Sequence, residues 1–368
     1  MTALVISSWN CISPYGIGKE AFCAGIAHGK VPDSEIDSIL LSDESAPTSS
    51  ARVAASFDIA AELGKKGTRL FDRLTGLSIA TVDRLLKDGV SADERVRASI
   101  VLGSSQGSLR SISGFTRETL RYDRPDYVNP ALFPNTVMNC AAGQTAIWHG
   151  CRGPNVTVSA GHLSGISALR FSTTALRQGY VDLVLAGAVE EFTGPSAWAH
   201  HVASDEEARA HAPFAEGCAM FVVESAANAE AQGRKAQVEI LYSELATYDF
   251  GADDDAKTQT LTRCIQTALK RSGVNAEMVK LVCQSAFDPK LESVEQNALK
   301  NSLGAKAEIE CLRLNRLVGN PVSAACAFQL AILLARLSDG SHPAGSCALL
   351  TAIDGSGSIG VVILRSVA

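Results

Sequence analysis

The run Gly153-Pro154-Asn155-Val156-Thr157-Val158-Ser159-Ala160-Gly161-His162-Leu163-Ser164-Gly165 constrains the fold of this chain more than any other segment. Val156 and Val158 alternate with polar neighbours, as in a half-buried strand. Ala160 and Gly161 are small enough for a sharp turn. From Leu163 onward, Ile166, Leu169, Ala175 and Leu176 fall on helical spacing, and Gly179 is placed to stop the helix. A strand, tight turn and helix in this order present the turn's side chain at the positive end of a helix, where a thiolate nucleophile would be stabilised. Here that side chain is His162.

The same pattern recurs along the chain. Ala98 to Gly103 and Val181 to Gly187 read as apolar strands on either side of the His162 turn, and Cys218 to Glu224 closes the first half. Strands alternating with helices imply a mixed or parallel sheet covered by helices on both faces. Ala226 to Lys235 is polar, Ala-rich and contains Gly233, so it joins two similar halves, residues 1–230 and 231–368. In the second half Gln237 to Tyr242 and Leu281 to Cys283 read as strands, Thr258 to Ser272 and Val322 to Leu337 as helices, and Ala348 to Ala352 and Ile359 to Leu364 as closing strands.

Bulk properties exclude several classes of function. A net charge of −6 without a basic block argues against nucleic-acid binding. No apolar run is long enough to span a bilayer, and the N-terminal residues read as a strand, not a signal peptide, so no membrane partner is expected. Ten cysteines without a Cys-x-x-Cys pair suit buried free thiols in the cytoplasm. Seven histidines show no zinc-ligand spacing, and the adjacent His200 and His201 diverge on any regular element, so neither metal nor cofactor is expected.

Several blocks, in order, resemble those of the β-ketoacyl synthase branch of the thiolase superfamily. They are Ser13-Pro14-Tyr15-Gly16 with Glu20-Ala21-Phe22, Asn129-Pro130 through Asn139, His149 to Asn155, Gly187-Ala188-Val189-Glu190, Pro213-Phe214-Ala215-Glu216-Gly217, and Gly319-Asn320-Pro321 through Ala327. The resemblance implies an α/β thiolase-like fold, two similar halves in an α-β-α-β-α layered arrangement. Active members of that family use a Cys-His-His trio: the cysteine carries the acyl chain, and the histidines support decarboxylation and stabilise the developing oxyanion. Carried over by position, the nucleophile falls on His162 and the second histidine on Asn320. The first falls on Gln284, an alignment anchored downstream by Glu292 to Glu295 and Asn297-Ala298-Leu299. The family's C-terminal gate appears as Asp354-Gly355-Ser356-Gly357, with its glycines but without phenylalanine.

These replacements remove the condensation chemistry. An acyl-imidazole hydrolyses readily, and carboxamides cannot become cationic or shuttle protons near neutral pH. Losing a single charge-stabilising group usually costs about a hundredfold or more in rate. No catalytic residue is therefore expected. His162 is read as a cavity filler hydrogen-bonded to Gln284 or Asn320, and Cys283 and Cys326 as packing residues. The alternative is a decarboxylase or acyltransferase with altered chemistry at His162.

A degenerate member of this kind resembles the chain length factor, the inactive half of a ketosynthase heterodimer in type II polyketide synthases. The resemblance implies three partners: an active ketosynthase subunit, an acyl carrier protein acting through the complex, and the growing polyketide chain. It places the dimer contact on Asn155, Val156, Thr157, Val158 and Ser159. The segment after Gly103 would border a substrate tunnel, with Gln106, Ile112, Phe115, Thr116, Phe133 and Met138 as its lining. The short chain and His162, where that family typically has glutamine, resemble divergent partners found in polyene-type, reduced pathways as well as in aromatic ones, and the polyene type is the expectation.

Overall fold

The computed structural model of the protein describes residues 3–36, 41, 44–121, 123–285, 287–304 and 309–367. The first half supplies strands β1 (Leu4–Ser13), β2 (Ser99–Gly103), β3 (Asn155–Val158), β4 (Leu183–Glu190) and β5 (Gly217–Ser225). Its principal helices are α1 (Arg73–Lys87), α2 (Leu109–Arg121), α3 (Cys140–His149) and α4 (Ser164–Arg177). The second half supplies β6 (Val238–Thr247), β7 (Val279–Gln284), β8 (Glu310–Arg313), β9 (Cys347–Ile353) and β10 (Ser358–Ser366), with α5 (Asp254–Ser272), α6 (Pro289–Leu303) and α7 (Ala325–Leu337).

Hydrogen bonding runs through these strands in the order β8-β7-β9-β10-β6-β1-β5-β4-β2-β3, with the two-residue strand Gly16–Ile17 folded back on β1. Each half has the same internal order, β1-β5-β4-β2-β3 and β6-β10-β9-β7-β8. In each, three parallel strands are followed by an antiparallel closing strand. The halves meet where β1 pairs with β6 through Val5 opposite Glu239 and Ile6 opposite Val238.

Three apolar clusters separate the layers. Leu74, Leu77 and Leu85 of α1 and Ala141 of α3 cover Ile100, Leu102 and Leu185 on one outer face. Leu261 and Ile265 of α5 and Val294 and Ala298 of α6 cover Val282, Leu349 and Val361 on the other. Between the two halves lie α4 and α7, whose Ile166, Leu169, Phe328, Leu330 and Leu334 pack with Val184, Phe221, Leu281, Leu350 and Val362. The result is the α-β-α-β-α arrangement. The sequence of α7, Ala-Cys-Ala-Phe-Gln-Leu-Ala-Ile-Leu-Leu-Ala-Arg-Leu, is apolar all round because both of its sides are buried. Its one mid-helix polar side chain, Gln329, donates to the Cys283 and Thr351 carbonyls at 3.0 and 2.9 Å.

The two central helices touch at backbone distance. A Cβ on Gly165, in the first turn of α4, would lie 2.7 Å from the Ala327 nitrogen in α7. Among the described residues, no helix is long and apolar enough to cross a membrane.

A buried ion cluster secures the segment that follows β5. Arg234 pairs with Glu94 at 2.6 Å and with Glu224 at 2.7 Å. The hydrogen bonds from Arg234 and Ser91 outweigh burial and hold the Glu94 carboxyl down at about 2. Removing the shared cation would leave two carboxylates buried without a countercharge. Arg234→Ala is therefore expected to lower unfolding free energy by about 3–5 kcal/mol in chemical denaturation. A loss within experimental error would show that the cluster is solvated and dispensable.

Candidate functional site

The chain leaves β3, crosses a short turn over Gly161–Leu163 and enters α4, so His162 sits at the end of that helix as the sequence pattern implies. The ring is largely enclosed. Its Nε2 lies 3.0 Å from Asn320 Oδ1, and its face stacks on Phe287 at 4.3 Å between centroids. Asn320 comes from the second half, on the turn that leads into α7.

The geometry fixes the histidine tautomer. Asn320 Oδ1 also accepts the Val322 backbone N–H at 3.1 Å. A backbone N–H only donates, so this atom is the amide oxygen and His162 Nε2 must carry the proton. The same bond closes the Asn320-Pro321-Val322 turn tightly enough to hold Val322 at φ 37°, an uncommon conformation for a β-branched residue. Asn320 thus braces the turn and orients the imidazole.

Electrostatics keep the ring neutral. Burial pushes the His162 imidazole below its ordinary value, against smaller opposing effects from Asp354 and the Asn320 hydrogen bond. Neighbouring His200, edge-on to Phe214 at 5.7 Å, is lowered to about 4 by burial and then by His162 and Arg209. Asp354 occupies the gate position. Its Oδ1 accepts the Ser356 and Ser358 N–H groups, each at 3.0 Å, and the Ser356 hydroxyl at 2.8 Å. The aspartate therefore organises its own loop.

No activated thiol accompanies this imidazole among the described residues. Cys326 donates to the His162 backbone carbonyl at 3.1 Å and does not engage its ring. Burial pushes the Cys326 and Cys283 thiols far up. A thiol in that state supplies little thiolate at neutral pH.

Of the two alternative partners expected for His162, Asn320 is the one within hydrogen-bond distance, and Gln284 does not join the cluster. Successive side chains on a strand point to opposite faces. On β7, Leu281 and Cys283 face the central layer, whereas Val282 belongs to the outer cluster under α6. Gln284 shares the face of Val282 and lines a separate cavity there. The residue that the following loop sends to His162 is Phe287.

Glu190, which the sequence marks only as part of a family-like block, links the site's parts. Its carboxylate is buried and accepts the Ser105 hydroxyl at 2.9 Å, the Ser323 hydroxyl at 2.7 Å and the Ser323 N–H at 3.3 Å. It therefore ties the loop after β2 to the turn carrying Asn320. Burial raises its carboxyl, and the serine hydrogen bonds partly offset that.

The tunnel candidates share one side of the molecule and are open in the single chain. No residue of α2 is buried, although Ile112 and Phe115 are partly covered. Phe115 meets Phe133 edge-on at 5.9 Å. Phe133 and Met138 remain 56% and 40% exposed, and Gln106 and Thr116 are also exposed. Gly107, at φ 72°, lets the loop approach Met138 so closely that a Cβ would lie 2.9 Å from its Cα. A cavity of about 550 Å³ beside Phe115 is bordered by Arg110, Arg117, Arg121 and Leu132.

Asn155 to Val158 form the outermost strand of the first half. They pair on one side with β2, from Ile100 opposite Asn155 to Gly103 opposite Val158. Ser159 lies just past the strand and donates to the Ser105 carbonyl at 2.8 Å.

This fold and site define a ketosynthase-like protein. Residues 1–229 match the family described as the β-ketoacyl synthase N-terminal domain, and the chain belongs to that family. It is 25% identical to 3-oxoacyl-[acyl-carrier-protein] synthase 2 of Rhizobium meliloti (strain 1021), covering 83% of this chain and 79% of that protein. It is 25% identical to the oxytetracycline polyketide putative β-ketoacyl synthase 1 of Streptomyces rimosus, covering 92% and 86%. The solved structure of the ishigamide ketosynthase/chain length factor superposes with a TM-score of 0.87 at 33% identity, covering 100% of both chains. The fold is thus that of the ketosynthase and chain length factor structures.

Two measurements test the site's electrostatics. Nitrogen NMR of labelled histidine should show His162 as the neutral Nε2–H tautomer at about pH 6.5, near the ordinary histidine value. A ring half-protonated there would contradict the assignment. His149, His162 and His200 are all held below the ordinary value, chiefly by burial. The unfolded chain then binds more protons, so the stability these rings confer is present above about pH 6.5 and lost as pH falls through their lowered values, about 4 for His200. Denaturant midpoints should fall over that window, and His200→Phe should flatten the decline.

Proposed function

We propose that this protein is a non-catalytic chain length factor. It pairs with an active ketosynthase and shapes the tunnel that holds the growing polyketide chain, in a type II system of polyene-type, reduced products. The observation that carries this reading is the state of the nucleophile position. A neutral imidazole, hydrogen-bonded to a carboxamide and stacked on Phe287, fills the space where condensation needs a reactive thiolate.

Two surface features support the pairing. The open side of β3 offers unpaired backbone groups that a partner strand can satisfy, and edges of that kind are normally covered. Beside it, Phe133, Val137, Met138 and Ile147 expose large apolar surface, from 40% to 74%. Apolar groups gathered on one face mark a contact surface, not an ordinary exterior. A partner seated there would also roof the open groove of α2 and turn it into a tunnel. Phe115 and Ile112 would then set its depth, because each extra two-carbon unit that overpacks the end costs about 1–3 kcal/mol. The acyl carrier protein would deliver substrate through the assembled complex, in the cytoplasm.

The chain alone is expected to condense nothing. Co-expressed with an active ketosynthase, it should purify as a stable one-to-one complex. Phe115→Ala and Ile112→Ala in that complex should lengthen the product by at least one two-carbon unit. Failure to form a complex would refute the pairing, and unchanged product length in both variants would refute the tunnel assignment.

A further inference from the structure

The second half of the molecule carries a cavity that the proposed function does not use. It measures about 260 Å³ and lies between α6 and strands β7 and β8. This is slightly below the usual range for small-molecule sites. It sits at the carboxyl ends of parallel strands, where ligands of α/β sheets commonly bind.

Its walls are sorted by polarity along the strand direction. Gln284 is paired in register with Arg313, and Val282 with Cys311, so these four side chains share one face. Gln284 and Arg313 form one end. Val282, Leu299 and Leu303 form the apolar remainder.

The polar end contains an unmet demand. Gln284 is 1% exposed, and its Nε2 has no hydrogen-bond acceptor among the described residues. An unsatisfied buried amide costs roughly 1–3 kcal/mol, so this donor favours an oxygen acceptor seated in the cavity. Arg313 binds Glu292 at 2.9 Å. Lys300 also borders the cavity, so two cations face one carboxylate and the local balance favours an anion.

We propose that this cavity binds a short- to medium-chain carboxylic acid. The carboxylate accepts from Gln284 Nε2 and neutralises the Arg313 end, while the alkyl chain lies between α6 and Val282. The site stands apart from His162 and does not depend on the proposed pairing with a ketosynthase.

Cys311 supplies a local reporter. It lines the cavity and is the exposed member among the free cysteines. Burial raises its thiol, so labelling is best run at mildly alkaline pH. The full-length protein is treated with N-ethylmaleimide across a series of octanoate concentrations below micelle formation. Modification of Cys311 is read by peptide mass spectrometry. Octanoate should slow that labelling saturably. 1-Octanol, which lacks the charge, should protect at least about tenfold less effectively. Gln284→Leu, which preserves side-chain bulk, should raise the half-protecting octanoate concentration about tenfold, and the cavity-filling Leu299→Trp should abolish protection. Labelling indifferent to octanoate, or protection unchanged in both variants, would overturn the proposal. Protection by octanol equal to that by octanoate would overturn the carboxylate assignment.

Discussion

The seam between α4 and α7 decides what this molecule can do. These helices come from different halves, and their first turns touch at backbone distance because Gly165 carries no side chain where Ala327 approaches. That contact sets the His162 turn against the Asn320 turn and makes the bond of 3.0 Å between them possible. Glu190 reinforces it by holding Ser323 and Ser105 together on one carboxylate. The two turns that carry His162 and Asn320 are therefore fixed against each other by the backbone.

The side chains redirect that architecture. A reactive thiol in this setting needs an ionised sulfur, a basic partner and room for an acyl group. The chain offers a neutral ring packed on Phe287 and an amide that also braces its own turn. Both nearby thiols are raised by burial, and one spends its proton on a backbone carbonyl. Each replacement favours a well-packed, fixed pocket floor. What remains accessible is the rim: the open strand β3, the groove along α2 and the apolar residues between them. A locked interior beside an open strand edge and groove is what the proposed pairing requires.

Much of this was legible in the sequence. Alternation in Asn155 to Ser159 and helical spacing from Leu163 located the turn that carries His162, and the run Val322 to Leu337 read as an apolar helix. Gln284 and Asn320 were alternative partners of His162 on the sequence, and the structure pairs the ring with Asn320. Alignment gives a residue's place along a strand but not which face it occupies at the strand's end, so it could not choose between them. Phe287 and Asp354 escaped notice as ring neighbours since both reach His162 across the fold, on loops with no periodicity. His200 entered the sequence reading only as one of two adjacent, diverging histidines, and its packing against Phe214 is a tertiary contact that no local pattern encodes. The tunnel residues were read from position alone. Their exposure in the single chain is a tertiary property that no pattern of apolar residues encodes.

The most direct test follows acyl transfer within the assembled pair. This chain co-expressed with an active ketosynthase is incubated with an acyl-thioester substrate, and each protein is weighed intact by mass spectrometry. The account predicts a stoichiometric acyl adduct on the partner and an unmodified mass for this chain. A stoichiometric adduct on any cysteine or on His162 of this chain would contradict it.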